Sequence, residues 1–275
     1  MKFAACNEMF VDWPFDKAFQ FSKELGYTGI ELAPFTMGTN AYEISAEKRA
    51  EVKKQIEDAG CECVGLHWLL AKTEGFYLTT PDAEVRQKTG DYLAELARMC
   101  SDCGGNIMVL GSPVQRNLLP GVSHDQAMEF AAEVVKIAEP TFRERGVTLA
   151  LEPLAPSEGD FLNTAELGIE LAKMVDSPNV KLHLDVKAMS SESKPIDQVI
   201  RESAEWMVHF HANDANLLGP GMGEIDFDPI FAALKDVGYD GWVSVEVFDY
   251  EPGAEKICRE SMATMQACLE KLGGF

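Results

Sequence analysis

Four apolar segments in the second half of the chain each carry, near their end, a residue type that commonly binds metal ions. The segments are VTLALEPL, VKLHLDVK, MVHFHAND and WVSVEVFD, and the four residues are Glu152, Asp185, His211 and Glu246. Three carboxylates that share a small site repel one another, so at least one pKa rises sharply unless a cation lies among them. Three oxygens and one imidazole suit Mn²⁺, Mg²⁺ or Co²⁺ better than a thiolate zinc site does. The pattern therefore predicts one bound divalent ion.

Two histidines precede two of these positions by two residues. His183 stands before Asp185, and His209 stands before His211. Because side chains two apart on a strand share a face, both imidazoles should lie one layer below the expected ligands. The alternative is a salt-bridge network of polar core groups without a metal. Four matched positions at four strand ends favour the metal site.

These residues are positioned by eight strand-like segments that alternate with helical ones. Short runs rich in apolar and β-branched residues predict strands at residues 2–6, 29–33, 61–67, 106–111, 147–152, 180–185, 207–211 and 242–247. Between them, Ser45 predicts the start of a helix that ends at Gly60, and Pro81 suits the first position of the next helix. Asn163 and Asp228 are expected to open two later helices.

Alternating strands and helices predict βαβ units, and hence either a closed barrel or an open doubly wound sheet. The 275 residues suit the barrel, for which about 250 residues are typical. No G-x-G-x-x-G motif follows the first strand, which argues against a dinucleotide-binding sheet. We therefore predict an α/β protein in which residues 1–275 form a single (β/α)8 TIM barrel domain. In such barrels the active groups lie at the C-terminal ends of the strands.

The formal net charge of −21 should repel nucleic acid and anionic membrane surfaces, so neither is an expected partner. The seven cysteines have no framework spacing and are predicted to be buried free thiols, which implies a reducing compartment, the cytoplasm. The N-terminal segment MKFAACNEMF does not resemble a signal peptide. No run of about 18 apolar residues predicts a transmembrane helix.

Several strings in the chain resemble the sugar phosphate isomerase/epimerase superfamily with the xylose isomerase-like TIM barrel: LEPL, HLDVKAM, HFHAND, GMGEIDF and VSVEVF. This superfamily includes ketose 3-epimerases, hydroxypyruvate isomerases, inosose dehydratases and, more distantly, endonuclease IV. The likeness is strongest over residues 147–250. It implies that Glu152, Asp185, His211 and Glu246 bind Mn²⁺, with Mg²⁺, Co²⁺ or Zn²⁺ as alternatives. It also implies that Glu152 and Glu246 transfer protons.

Such a site suits proton transfer on a sugar or related polyhydroxy carbonyl compound through a metal-bound enediolate. A metal acidifies the C–H next to a carbonyl, and two carboxylates remove and return the proton. A metal-dependent isomerase or epimerase is the leading prediction, and a lyase or dehydratase acting on a keto-inositol or 3-keto-sugar is the alternative. A catalytically inactive metal- or sugar-binding barrel is the non-enzyme alternative. An endonuclease IV-like nuclease is disfavoured, because the chain has five histidines and is strongly acidic.

Two substrate-holding residues of the ketose 3-epimerases are missing from this chain. Glu158 matches their Glu six residues after the first ligand. However, Ala188 stands where a His is expected, and Leu217 stands where an Arg is expected. The departures favour a polyol or keto-sugar other than a plain ketohexose. The resemblance also leaves room for a homo-oligomer.

Other residues near the strand ends are candidates for substrate contact. Glu31 either binds a sugar hydroxyl or forms a structural ion pair, and Trp68 either stacks on a sugar face or caps the core. Arg116 and Lys187 are the nearest positive charges. Each is expected either to bind a carboxylate or phosphate of the substrate or to remain exposed to solvent. The predicted substrate contacts are Glu158, Glu31, His67, Trp68, Arg116, His183 and Lys187, and the residues expected to orient the ligands from behind are His209, Asn213 and Asp214. The glycine-rich residues 219–223 predict a flap or turn, not a phosphate cradle.

Overall fold

The short apolar segments pair side by side, because the backbone groups of an extended chain find their partners in neighbouring strands. In the computed structural model, which describes residues 1–274, eight parallel strands close into one barrel in sequence order. The strands are Lys2–Cys6 (β1), Gly29–Leu32 (β2), Glu62–Leu66 (β3), Ile107–Leu110 (β4), Thr148–Leu151 (β5), Val180–Asp185 (β6), Met207–Ala212 (β7) and Trp242–Val245 (β8). The predicted closed barrel is confirmed.

Helices connect the strands and cover the outside of the barrel. They are Phe15–Leu25 (α1), Ala46–Asp58 (α2), Ala83–Asp102 (α3), His124–Arg145 (α4), Ala165–Val175 (α5), Val186–Met189 (α6), Ile196–Ser203 (α7), Phe227–Asp236 (α8) and Ala254–Lys271 (α9). Each apolar helix face packs on the apolar outer face of the sheet, as α/β barrels require.

The predicted helix starts are correct to within two residues. Ser45 caps α2 by accepting a hydrogen bond from the N–H of Lys48 at 3.2 Å, as predicted. In α3 the prediction of Pro81 at the first helical position was wrong, because Asp82 is the cap and accepts hydrogen bonds from Glu84 and Val85. A carboxylate oxygen satisfies free N–H groups that Pro81 cannot. Asn163 and Asp228 were expected to open α5 and α8, but Thr164 caps α5 and Asp226 caps α8 instead.

The inside of the barrel changes from apolar to polar along the strands. At the N-terminal ends, the Trp242 ring packs against Ala4 and Val64. A Cβ on Gly29 would lie 2.5 Å from this ring, so only glycine fits at that position on β2. Two residues further along β8, Ser244 faces the imidazole of His209 at 3.5 Å. The indole therefore forms the floor of the barrel, and the polar layers lie above it.

The thiols and the apolar helix faces are buried within this architecture. All seven cysteines are free, and six of them are buried, in agreement with the prediction. Among residues 1–274, no helix combines the length and the apolar character needed to cross a lipid bilayer.

Candidate active site

The four predicted ligands lie at the C-terminal ends of β5 to β8. Asp185 is the last residue of β6, His211 is the last but one of β7, and Glu152 and Glu246 directly follow β5 and β8. All four are more than nine-tenths buried. The parallel register of β6 and β7 places Asp185 opposite His211. Four neighbouring strands therefore direct ligand-type side chains to one end of the barrel.

Three of the four residues meet in one compact group. Single carboxylate oxygens of Glu152 and Asp185 and single ring nitrogens of His183 and His211 all lie within 4.8 Å of one another. Glu246 contacts this group through His211, because its Oε2 lies 3.0 Å from the Nδ1 of that imidazole. Glu246 also belongs to a second group, with Glu8 and His67. The binding of a metal by these residues stays a prediction.

The His211 ring lies between two carboxylates. Its Nδ1 faces Glu246, and its Nε2 lies 3.2 Å from Oε1 of Glu31. Burial alone would lower the pKa of His211, but the charges of Glu246 and Glu31 raise it well above its ordinary value. If the ring proton of His211 is on Nε2 and faces Glu31, the lone pair of Nδ1 is free to bind a metal at the C-terminal end of the barrel. This arrangement is the usual one behind a metal-bound histidine.

Asp185 is oriented by the segments that follow β6 and β7. The Asn213 amide donates to its Oδ2 at 2.5 Å, and the N–H of Ala188 donates to its Oδ1 at 2.8 Å. Burial and the charge of Glu246 raise the pKa of Asp185 to about 6. Asn213 thus orients Asp185 directly, whereas it was predicted to act on the ligands from behind His211.

Glu152 fits against the backbone of the neighbouring strand end. A Cβ on Gly111, the residue after β4, would lie 2.1 Å from Oε2 of Glu152. Burial, together with the charges of Glu246 and Asp185, raises the pKa of Glu152 well above its ordinary value. A nearby cation would stabilise the ionised form of this carboxylate. The missing side chain of Gly111 is therefore part of the site, and Gly111 was not among the predicted site residues.

Arg116 stabilises the backbone around Glu152. Its guanidinium donates to the carbonyl oxygens of Glu152 at 2.7 Å, Phe161 at 3.1 Å and Leu162 at 3.2 Å. Burial lowers the pKa of Arg116 to about 10. The structure therefore places this residue within the wall of the site, where carbonyl oxygens occupy the donors that were expected to meet a substrate anion.

Two further buried histidines, His183 and His209, lie among these groups, and His183 was expected one layer below the ligands but belongs to the same compact group. His183 pairs with His209 in the β6–β7 register, and the His183 ring centroid lies 4.1 Å from that of His211. Glu31 accepts at 2.7 Å from the Nε2 side of His209, and it is fully buried. Glu31 thus has buried histidine partners, as the structural alternative expected, and its contact with a sugar hydroxyl stays a prediction. The His183 ring packs against that of His211, and its contact with substrate also stays a prediction.

His67 and Trp68, which follow β3, connect Glu246 to the N-terminal part of the chain. The Trp68 indole N–H donates to Oε1 of Glu246 at 2.6 Å. His67 lies 2.8 Å from Oε2 of Glu8 and 3.9 Å from Oε1 of Glu246. Trp68 has a φ of 54°, a backbone region that large side chains rarely occupy. Such strain typically occurs at functional sites.

A pocket lies directly above these groups and is named here the mouth pocket. Its walls include Trp68, Glu152, Glu158, Glu246 and Phe248. Burial acts to raise the pKa of Glu246, but the charge and hydrogen bond of His211 lower it below its ordinary value. The two predicted proton-transfer carboxylates thus line one pocket in different electrostatic surroundings.

Lys187 and Glu158 form an ion pair at the edge of the mouth pocket. Lys187 Nζ lies 2.7 Å from Oε1 of Glu158 and 3.8 Å from the centroid of the Phe248 ring. Glu158 and Phe248 line both the mouth pocket and an adjoining cavity that Lys187 and Leu217 also border. Lys187 therefore brings a cationic side chain to the cavity that Leu217 borders, where the predicted Arg is missing.

Asp214 orders the glycine-rich turn. Its Oδ2 accepts from the N–H of Ile225 at 3.0 Å. A Cβ on Gly223 would lie 2.2 Å from Oδ1 of the same carboxylate. The predicted turn at residues 219–223 is thus stabilised from inside by a side chain that was expected to orient the ligand.

The chain is similar in sequence to one known protein family and to several proteins with named functions. The family profile described as "Xylose isomerase-like TIM barrel" matches residues 19–268. The chain is 28% identical over 236 residues to a "Probable ketose 3-epimerase" of Synechocystis sp., an alignment that covers 85% of this chain and 78% of the relative. It is 31% identical over 177 residues to a "D-psicose 3-epimerase" of Ruminiclostridium cellulolyticum, covering 62% of this chain and 59% of the relative.

The same fold is found in a solved structure over its full length. The crystal structure of a D-psicose 3-epimerase in the presence of D-fructose superposes with a TM-score of 0.85. The sequence identity is 23%, and the match covers 100% of both chains. At this identity the structural likeness shows the fold alone.

Proposed function

The chain belongs to the xylose isomerase-like TIM barrel family, and from this premise we propose that it is a divalent-metal-dependent epimerase or isomerase of a sugar or related polyhydroxy carbonyl compound. Its enzymatic nature follows from the relatives, which are named as ketose 3-epimerases. The observation that carries the mechanism is that two buried carboxylates, Glu152 and Glu246, line one pocket.

The donor set at the mouth fits a hard divalent cation. Glu152, Asp185 and Glu246 offer carboxylate oxygens and His211 offers one nitrogen, a set that suits Mn²⁺ first, with Mg²⁺, Co²⁺ or Zn²⁺ as alternatives. Burial and mutual repulsion raise the pKa values of Glu152 and Asp185, so a cation among these carboxylates would stabilise their ionised forms. A cation held there would acidify a C–H beside a carbonyl and stabilise the resulting anion.

The two carboxylates perform the proton transfer. Glu152 follows β5 and Glu246 follows β8, so β6 and β7 separate them around the barrel. A substrate carbon between them loses its proton to one carboxylate and gains a proton from the other. Return to the same carbon gives an epimer, and return to the adjacent carbon gives an isomer. Trp68 holds Glu246 by its indole hydrogen bond, so that this carboxylate keeps one orientation toward the pocket.

The residues around the reacting centre support a substrate other than a plain ketohexose. Ala188 and Leu217 carry no polar group to hold a sugar hydroxyl, whereas Lys187 and Glu158 offer a charged pair at the pocket edge. Lys187 can also supply a proton to a departing hydroxyl, which favours a dehydratase acting on a keto-inositol or 3-keto-sugar as the second candidate. The seven free thiols support a cytoplasmic location, and the acidic charge supports carbohydrate over nucleic acid as partner.

Proton NMR in D2O tests this function. The Mn²⁺-loaded protein is incubated with a panel of ketoses, keto-inositols and 3-keto-glycosides. We expect deuterium to replace a C–H hydrogen beside the carbonyl, with conversion to an epimer or isomer. Loss of water to an enone or dicarbonyl product would identify the dehydratase instead. A panel without exchange or elimination would contradict both.

A single methyl group on Gly111 is expected to reduce turnover about 100-fold, the scale of effect expected when a catalytic group moves by about 1 Å. In Gly111→Ala the new Cβ would collide with Oε2 of Glu152, because the atoms would be 2.1 Å apart. The rate of C–H exchange and the thermal midpoint measure the two effects separately. In the control Gly38→Ala, the nearest atom to the new Cβ is Cγ1 of Ile44 at 3.0 Å. Equal rates in both variants would contradict the role of Gly111.

A further inference from the structure

His183 is fully buried inside the barrel, and both of its ring nitrogens are unpaired. Neither Nδ1 nor Nε2 has a hydrogen-bond partner in the part of the chain that the structure describes. A buried polar group without a partner is costly, and each one in a folded protein calls for an explanation. An apolar side chain of similar size would fill the same space without that cost, so the imidazole itself needs a reason to be there.

The groups that face His183 have the spacing of ligands around one ion. Its Nε2 lies 4.0 Å from Oε1 of Glu152, which is too long for a hydrogen bond. A bond from a divalent metal to an imidazole nitrogen or a carboxylate oxygen measures about 2.0–2.2 Å, so two donors on opposite sides of an ion are about 4 Å apart. Asp185 and His211 each add one donor atom to the same group, within 4.8 Å of the others. The four side chains can therefore bind a single ion with little movement.

The pairing of β6 with β7 is irregular directly before His183. Regular alternation along β6 would place His183 one layer below Asp185. The register with β7 shifts between Leu182 and His183, and irregularities of this kind redirect side chains and are frequent next to active sites. The His183 ring packs against that of His211 with the ring centroids 4.1 Å apart. The shift gives a local reason why His183 joins the ligand group and does not form a separate layer.

His209 differs from His183 in its surroundings, although the two residues are register partners. Its Nε2 lies 2.7 Å from Oε2 of Glu31, so one of its nitrogens has a partner, while its Nδ1 has none among residues 1–274. Of these two histidines, only His183 belongs to the described group that contains the carboxylates of Glu152 and Asp185. A cation stabilised by carboxylates is therefore within reach of His183 first.

We propose that His183 is a direct ligand of the divalent ion. The ion then has two imidazoles and two carboxylates around it, those of Glu152, His183, Asp185 and His211. This inference rests on the proposed function and deepens it, because it concerns the ion of the same site. An octahedral ion has six positions, so the predicted ligand Glu246 and one substrate oxygen fit beside these four donors. A second imidazole also shifts the metal preference from Mg²⁺ and Mn²⁺ toward Co²⁺ and Zn²⁺.

Pulsed electron paramagnetic resonance of the intact Mn²⁺-loaded protein tests this ligand without requiring turnover. With ¹⁵N-labelled histidine, the hyperfine couplings count the imidazole nitrogens that are bonded to the ion. We expect two in the wild type and one in His183→Leu. The matched control is His209→Gln, whose amide can still donate to Glu31 and which should keep both. A single imidazole in the wild type, or an unchanged count in His183→Leu, would overturn the proposal.

Thermal unfolding with and without metal separates a ligand from a residue that only packs the core. Without metal, His183→Leu should be at least as stable as the wild type, because leucine replaces an unpaired buried imidazole. The rise in thermal midpoint on adding Co²⁺ should shrink, because that rise depends on affinity. Calorimetry should show a loss of Co²⁺ affinity of more than about 100-fold, beyond the usual effect of a residue behind a ligand. His183→Met is used if the leucine variant does not fold.

The outcomes distinguish this ligand from the proposed function. A variant that is less stable without metal and binds Co²⁺ as tightly as the wild type would reduce His183 to a packing residue. Deuterium exchange on carbonyl sugars by a protein whose Mn²⁺ carries one imidazole would leave the proposed function standing and remove His183 from the site. Conversely, two imidazoles on the ion without exchange on any carbonyl sugar would support the His183 ligand and contradict the proposed function.

Discussion

Glu246→Gln is expected to give a folded barrel whose turnover is reduced about 10²–10⁴-fold, the contribution typical of a general acid or base. Glutamine keeps the shape of glutamate, and its amide oxygen can still accept the hydrogen bond that the Trp68 indole donates to Oε1. An amide does not accept a proton at neutral pH, so the transfer step is lost. The rate of C–H exchange in D2O measures the effect, and circular dichroism checks the fold.

Glu158→Gln is the matched control for this experiment. Glu158 lines the same pocket but pairs with Lys187 at 2.7 Å. We expect this variant to raise KM more than it lowers kcat, because it removes a binding contact and leaves the transfer pair intact. If Glu246→Gln exchanges protons at close to the wild-type rate, Glu246 has no part in the transfer.

His211→Ala is expected to remove the metal, and with it the activity. Purified wild-type protein should contain about one divalent ion per chain. The variant loses the nitrogen that faces Glu246 and leaves the fully buried Glu31 without one of its two partners. Its affinity for Mn²⁺ should fall by more than the roughly 10–100-fold that is typical when a residue behind a ligand is changed. Elemental analysis measures the metal content per chain, and calorimetric titration with Mn²⁺ measures the affinity.

Glu31→Gln provides the internal comparison for the metal prediction. It changes the group behind His211 and keeps all four ligands, so its affinity for Mn²⁺ should fall only about 10–100-fold. His211→Asn is used if the alanine variant unfolds, since a buried unpaired carboxylate costs several kcal/mol. Active wild-type protein without bound metal would defeat the prediction, as would a full metal content in both His211 variants.

The barrel could be predicted because each strand carries its own signal. Short runs of β-branched and apolar residues specify extended segments, and their alternation with helices leaves few parallel architectures. The errors are at the edges, where backbone pairing ends before the apolar pattern does. Glu152, His67 and Glu246 were assigned to strands, but each stands one residue beyond a strand. The helix caps differ for a similar reason, since neighbouring polar residues such as Asp82 compete for the same N–H groups.

The place of a site residue could be predicted only where its position on a strand fixes the direction of its side chain. Asp185 and His211 lie within strands, so register alone brings them together. A long side chain such as Arg116 is different, because its end point depends on the path of the loops that supply its carbonyl acceptors. Glu8 lies in a short 3-10 helix, Asn7–Met9, directly after β1, and its contact with His67 joins distant parts of the chain. For Gly111 a signal existed, namely a residue without a side chain at a strand end next to Glu152.

The indole floor made by Trp242 has a consequence for the isotope experiments. With Ala4, Val64 and this ring closing the base, a proton taken from the substrate can reach bulk solvent only past the bound ligand at the top. While a ligand covers that exit, the hydrogen stays on the carboxylate that abstracted it and can return only to the face it left, which re-forms the substrate. Deuterium should therefore enter the remaining substrate more slowly than it enters the product. Ligands that cover the entrance more completely should give more of this internal return.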